Sequence, residues 1–283
     1  MSDEYALLGH PVSHSRSPFI HARFADQTGE DLHYRALDIR PGDFPDALES
    51  LRARGVKGAN VTVPFKLEAF ALADDLTERA RDAGAVNTLS FASSGPDSGP
   101  TIGPTIGDNT DGVGLLRDLT VNHGVELAAR SVLLIGAGGA ARGVLGPLLG
   151  EHPARVVVVN RTPARALQLA ERFAPLGQIC AWSFSALAGE RFDLIINASA
   201  ASMAGELPPL PEGLLAGGAC CYDLMYAASA TPFVTWARAR GAAQALDGIG
   251  MLVEQAAESF HCWRGVRPRT APVIAALTAE RGR

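Results

Sequence analysis

The stretch "SVLLIGAGGAARGVLGPLLG", residues 131–150, has three parts in a telling order. Its first five residues read as a strand, its glycines as a tight turn and the remainder as a helix. Gly136, Ala137, Gly138, Gly139, Ala140 and Ala141 fit the pattern G-x-G-x-x-A. Such a turn lets a phosphate approach the backbone closely, and the free N–H groups of the new helix face it. The strand before and the helix after are the context this pattern needs, so a bound dinucleotide is expected here. The plainer alternative is a turn that only lets the helix pack close to its sheet. Pro147 falls inside the expected helix and predicts a kink or an early end.

Downstream, "ARVVVVNR" carries four consecutive valines, the pattern of a strand buried on both faces. In an NAD site, a carboxylate about 20 residues past the glycines takes the ribose hydroxyl. Here that strand ends in Asn160, Arg161 and Thr162, with Arg165 close behind and no carboxylate. Guanidinium groups bind phosphate bidentately, so a 2′-phosphate, and with it NADP rather than NAD, is expected. Two solvated arginines at a helix start are the alternative, although cations are disfavoured there without an anion. "PARALQLAERF" then reads as a helix, and "FDLIINA" and "GGACCYDLMY" as strands. This alternation predicts a Rossmann-type, doubly wound parallel sheet.

Upstream, "EYALLG" and "LHYRALDI" read as strands, each followed by a helix, the first with Pro18 in its opening turn and the second closed by Gly55. "VKGANVTV" reads as a third strand, which predicts a small α/β domain with parallel strands. "EAFALADDLTERARDAG" is helical in spacing, in one piece or two, and "AVNTLSFA" is a strand. Residues 93–107, with the repeat GPTIG–PTIG, read as an elongated hairpin loop without chemical consequence. The expected organisation is a substrate-binding domain over 1–107 and a nucleotide domain over 108–245, opened by a linker helix at 108–122. C-terminal helices over 246–283 are expected to pack back towards the first domain.

A chain of 283 residues, 47% hydrophobic, is long enough for two cores. The net charge of −5 argues against a nucleic-acid partner, which needs a basic face. The N-terminus lacks the pattern of a signal peptide, and the most apolar stretch is too interrupted to cross a membrane, so a soluble cytoplasmic protein is expected. Cys180, Cys220, Cys221 and Cys262 show no metal-ligand spacing and read as reduced core thiols. No metal is expected. No heptad seam marks an oligomer, and a homodimer stays open.

Polar residues gather at the expected strand ends of the first domain. Ser13, Ser15 and Ser17 precede a helix, where hydroxyls and N–H groups suit a carboxylate. "NVTVPFK" offers Asn60, Thr62 and Lys66, "AVNT" offers Asn87, and "DNTDG" offers Asp108, Asn109 and Asp111. Each has a plainer reading: serines as caps, Asn87 as a turn closure, Asp111 as a helix cap, Lys66 as a solvent-facing charge. Together, beside a nucleotide domain, they suggest a site for a small polar substrate at successive strand ends.

In order along the chain, "SHSRSP", "GANVTVPFK", "AGAVNT", "GDNTDG", "LIGAGGAARG", "NRTPAR", "CYDLMY" and "GMLVEQAA" resemble the shikimate dehydrogenase family. The resemblance implies reversible, NADP-dependent reduction of 3-dehydroshikimate to shikimate, in aromatic amino-acid biosynthesis. It implies Lys66 and Asp111 as a catalytic dyad and Ser15 and Ser17 as the hold on the substrate carboxylate. Asn60, Thr62, Asn87, Tyr226 and Gln255 would face the hydroxyls. Gly136, Ala137, Gly138, Gly139 and Ala140 would hold the pyrophosphate, and Asn160, Arg161, Thr162 and Arg165 the 2′-phosphate. Leu224 and Gly248 match positions near the nicotinamide, and Glu78 a weaker cofactor contact. "NASAASMAGE" departs from the family's usual stretch after "IINA". Ser17 leans towards shikimate over quinate; a quinate or aminoshikimate dehydrogenase and a non-catalytic ligand sensor are the alternatives.

Overall fold

The computed structural model describes residues 2–92 and 103–281. The chain divides into two compact units, one reaching Gly114 and including residues 252–276, the other spanning 115–251 and including 277–283. The divisions thus fall at 114 and 251, where the sequence suggested 107 and 245, and the last residues group with the second unit.

The first unit is built on a six-stranded sheet. Its strands are β1 (Asp3–Gly9), β2 (Leu32–Asp38), β3 (Gly58–Val61), β4 (Asp75–Leu76), β5 (Thr88–Phe91) and β6 (Thr105–Asp108), in spatial order β2-β1-β3-β5-β6-β4. β1 runs parallel to β2 and β3, but β5 is antiparallel to both β3 and β6. The sheet is therefore mixed, not parallel as the strand–helix alternation suggested. The reason lies in the repeat: most of its second copy, residues 104–107, falls in the strand Thr105–Asp108, and β5 and β6 form a hairpin in register from Phe91↔Thr105 to Thr88↔Asp108. The rest of the expected loop, 93–102, lies outside the described residues. Helices α1 (Ser17–Thr28), α2 (Phe44–Ala53), α3 (Lys66–Leu72) and α4 (Glu78–Ala83) connect these strands. The helical stretch expected after Lys66, in one piece or two, is two helices separated by β4. One face of the sheet is sealed by Phe44, Phe65, Leu48 and Leu89, the other by Tyr5, Tyr34 and Val12.

Helix α5 (Asp111–Arg117) begins in the first unit and runs into a π-turn (Asp118–Asn122) of the second. The second unit holds β7 (Ser131–Ile135), α6 (Gly139–Gly150), β8 (Arg155–Val159), α7 (Pro163–Phe173), β9 (Ile179–Trp182), β10 (Phe192–Asn197), β11 (Leu215–Asp223), α8 (Pro232–Ala239) and β12 (Gln244–Leu246). All six strands are parallel, in the order β12-β11-β10-β7-β8-β9. That is the doubly wound order, reversing direction between β7 and β10. The strands are apolar throughout because both faces are covered: Val156, Val158, Leu134 and Ile196 enter one core, and Val157, Val159, Leu133 and Ile195 the other. Helix α6 runs through Pro147 to Gly150 and is not cut short there. The residue four before the proline is Gly143, which brings no side chain to the crowded turn.

The chain ends in α9 (Ile249–Arg264) and α10 (Ala271–Arg281). Cys220 and Cys221 are buried, but Cys180 is half-buried and Cys262 exposed, so not every cysteine is a core thiol; all four are free. Among the described residues, no helix is long and apolar enough to cross a membrane, and no cluster of His, Cys, Asp or Glu could hold a metal ion.

Candidate active site

Strand β3 ends at Val61, and a turn with a cis Val63–Pro64 bond leads into α3, whose first residue is Lys66. A cation at a helix N-terminus is unfavourable unless paired. Lys66 is paired: its Nζ donates to Asp111 Oδ2, and their side chains are only 14% and 6% exposed. The solvent-facing reading of Lys66 is thereby excluded. Asp111, the first residue of α5, receives a second hydrogen bond at Oδ1 from Asn87 Nδ2 at 2.8 Å. One carboxylate oxygen thus orients the ammonium while the other is pinned.

Asn87 belongs to a buried polar network. Its Oδ1 accepts from Thr110 N at 2.8 Å and Thr88 Oγ1 at 2.8 Å, and its Nδ2 reaches Gln255 Oε1 at 3.3 Å. The register Asn60↔Thr88 places Asn60 beside it. Asn60 Nδ2 donates to Ser259 Oγ at 3.0 Å, Thr88 Oγ1 at 3.2 Å and Asn87 O at 3.2 Å, while its Oδ1 accepts from Tyr34 OH at 2.8 Å. Asn60, Asn87, Lys66, Asp111 and Gln255 are therefore brought together. Ser15 and Ser17 sit at the start of α1, their hydroxyls 3.2 Å apart. Thr62, half-buried, immediately follows β3, its N–H donating to Leu8 O at 2.9 Å. Beside this network, Arg79 grips Asp108 through Nε at 2.6 Å and donates to Glu258 at 2.9 Å. Burial raises the Asp108 pKa, but the Arg79 and Thr77 hydrogen bonds outweigh it and hold the carboxyl below its ordinary value.

In the second unit, Gly136 has φ +113°, and a Cβ there would lie 2.9 Å from the Ala198 carbonyl. Only glycine suits both the turn and that approach. Over Gly138 a Cβ would meet nothing within 4 Å, so this part of the turn is open, at the N-terminus of α6. At the end of β8, Asn160 is half-buried, and Arg161, Thr162 and Arg165 are exposed around the start of α7. Thr162 occupies the N-cap position but makes no capping bond with its side chain. A clear glycine turn followed by free guanidinium and hydroxyl groups fits a dinucleotide with a 2′-phosphate. Leu224 follows β11 and Gly248 precedes α9; Gly248 N donates to Met225 O at 3.1 Å. Tyr226 is half-buried, and the Arg281 guanidinium lies 6.0 Å from its ring centre. Glu78 is exposed at the first position of α4, in the first unit.

Residues 7–89 match the family model described as the shikimate dehydrogenase substrate binding domain. Residues 119–204 match shikimate / quinate 5-dehydrogenase, and 248–278 the shikimate 5'-dehydrogenase C-terminal domain. A shikimate dehydrogenase (NADP(+)) of Halorhodospira halophila is 57% identical over 277 residues, covering 98% of each chain. One of the same name from Alkalilimnicola ehrlichii is 55% identical over 280 residues, 99% of this chain and 100% of that one.

The chain belongs to the shikimate dehydrogenase family.

The family's fold is matched as well. The crystal structure of shikimate 5-dehydrogenase from Thermus thermophilus, in complex with NADP(H) and shikimate, is 33% identical. It has a TM-score of 0.84 and covers 97% of this chain and 98% of that one. Against this family background, the residues the sequence reading missed are the supporting ones: Tyr34, Thr88, Thr110 and Ser259. Only Ser259 left a usable signal, since it lies four residues after Gln255 and so on the same face of α9.

Proposed function

We propose that this member of the shikimate dehydrogenase family reversibly reduces 3-dehydroshikimate to shikimate with NADPH, Lys66 and Asp111 serving as the acid–base dyad. The observation that carries the reading is the nearly buried Lys66–Asp111 pair, locked from behind by Asn87. When bound, NADPH supplies hydride to the ketone carbon. The chain must supply a proton to the ketone oxygen. Lys66 donates it in reduction and takes it back in oxidation, while Asp111 holds the side chain in place.

Ser15 and Ser17, with the N–H groups opening α1, suit the substrate carboxylate. Thr62, Asn87, Gln255 and Tyr226 suit its hydroxyls. Asn60 is fully engaged, so a substrate hydroxyl at that position would replace one of the three acceptors on Nδ2. The turn from Gly136 to Ala140 would hold the pyrophosphate, and Asn160, Arg161, Thr162 and Arg165 the 2′-phosphate. Glu78, Leu224 and Gly248 are the remaining proposed cofactor contacts. Such an enzyme would serve aromatic amino-acid biosynthesis.

The test is Lys66→Ala. Positioned proton donors contribute on the order of 10²–10⁴ in rate. Turnover of shikimate with NADP should fall by that factor while the KM for shikimate changes little. Near-normal turnover would remove Lys66 from the proton-transfer role. Parallel assays of shikimate and quinate, each with NADP and NAD, should favour shikimate with NADP. Ligand binding without any turnover in the parent would instead make the protein a sensor.

A further inference from the structure

We infer that Asp223 is a positioning residue for the nicotinamide half of the cofactor, acting through the loops it ties together after β10 and β11; this rests on the proposed dehydrogenase function. Asp223 is the last residue of β11 and is completely buried. Its carboxylate is filled by four neutral donors. Oδ1 accepts from Asn197 Nδ2 and from Met225 N, both at 3.1 Å. Oδ2 accepts from Ser202 Oγ and Thr231 Oγ1, both at 2.6 Å. Burial pushes its pKa up, and these donors only partly offset that.

A buried carboxylate is costly, and an apolar residue would fill the same space more cheaply. What a carboxylate alone provides is acceptor capacity in four directions. The four donors come from four different segments: the end of β10, the turn after it, the loop after β11 and the N-cap of α8. Asn197 extends the reach, since its Oδ1 accepts from Ser199 Oγ at 2.7 Å and Ser199 N at 3.2 Å.

These segments border the glycine turn. The Ala198 carbonyl is the group that a Cβ on Gly136 would strike, and Ala198 N donates to Ile135 O at 2.8 Å. Leu224 N donates to Asn197 O at 2.9 Å, and a Cβ on Gly248 would lie 2.2 Å from Leu224 O. The loops after β10, β11 and β12 therefore lean on one another. In a doubly wound sheet, the dinucleotide crosses the strand ends where the order reverses, here between β7 and β10. Arg161 and Arg165 lie on the β8 side, which assigns the adenosine half to that side. The other half must then meet the loops beyond β10, which Asp223 holds.

The experiment separates the two halves, using 2′,5′-ADP as a probe of the adenosine side only. In Asp223→Asn, 2′,5′-ADP should bind within about twofold of the parent. The kcat for shikimate oxidation should fall at least tenfold. The primary isotope effect with deuterated shikimate should rise, because hydride transfer becomes the slower step. Unchanged kcat and isotope effect would overturn the inference. So would a loss of 2′,5′-ADP affinity equal to the loss in kcat/KM, which marks a general defect of the unit. If Asp223→Asn does not fold, Ser202→Ala decides, because it removes a single donor. A twofold to fivefold fall in kcat with unchanged 2′,5′-ADP binding supports the inference, and parental kcat overturns it. A parent that neither binds 2′,5′-ADP nor oxidises shikimate would sink the function itself, a result visible before any variant is made.

Discussion

His21 is a residue the mechanism does not use, yet it shapes the first unit. It is completely buried, its ring stacks on Tyr34 at 4.1 Å, and neither ring nitrogen has a hydrogen-bond partner. Burial pushes its pKa down to about 3. Below pH 6.5 the unfolded chain therefore binds a proton that the folded chain refuses, until about pH 3. Over that window stability falls with pH by up to about 1.4 kcal/mol per unit. Between pH 6.5 and 5 the loss from this residue should reach about 2 kcal/mol. Urea midpoints measured across that range should fall less steeply in His21→Asn, even though that variant is weaker at pH 7. Equal slopes would show that His21 does not titrate as its burial requires. The motif "SPFIH" gave no hint of this, because burial of a polar ring depends on aromatic neighbours far away in sequence, Phe260 and Trp263. Lys66 was different: its place after Pro64 was legible and the family motifs implied Asp111 as its partner, but the burial of the pair and the bond from Asn87 needed the fold.

The elements that were easiest to read are those with one dominant local cause. β7, α6 and β8 follow from a valine- and leucine-rich pattern interrupted by a turn that only glycine can make. Gly136→Ala should thus be destabilising by about 1–3 kcal/mol, from its positive φ and the clash with Ala198, and should weaken NADP binding as well. Thermal melts with and without NADP check both effects. At the start of α7, Arg161→Ala should raise the KM for NADP about 10- to 100-fold, the worth of a lost hydrogen bond to a charged group, and leave the KM for NAD nearly unchanged. A parallel rise for both cofactors would place Arg161 away from the 2′-phosphate. The elements that were missed are short or disguised. β9 and β12 have four and three residues, too few to display a period. β6 is written in the turn-like letters TIGD, and only pairing with β5 makes it a strand. α8 is opened by Pro232 and capped by Thr231, a helix-start signal present in the sequence itself.

At the scale of the molecule, length and apolar content were enough to expect two cores, and the chain has two units each with its own. What composition could not reveal is that the chain passes between units at Gly114, Met251 and Ala276. Such crossings depend on where helices α5, α9 and α10 find apolar partners, which is long-range information. Proposed cofactor residues other than Glu78 belong to the second unit, so ligands of the adenosine side should stabilise that unit by mass action. At a hundredfold excess over its Kd, 2′,5′-ADP should add about 2.7 kcal/mol, a rise of roughly 5–11 °C in the melting temperature. No shift at saturation would mean that the probe does not bind the folded chain.

The neighbouring thiols of β11 give the second unit a built-in clock. Cys220 enters the core on one face of the sheet and Cys221 the core on the other. Burial pushes both thiols up to about 12, so at pH 8 only roughly one in ten thousand is a reactive thiolate. Cys262 is exposed, although burial of its thiol and the Asp108 carboxylate push it up to about 12 as well, and Cys180 is half-buried, so accessibility rather than thiolate content should have these two alkylated first. Once those two are blocked, further labelling counts only openings of the sheet. Equal rates at Cys220 and Cys221 would report that both faces come apart in one event, and unequal rates would reveal which helical layer lifts away first.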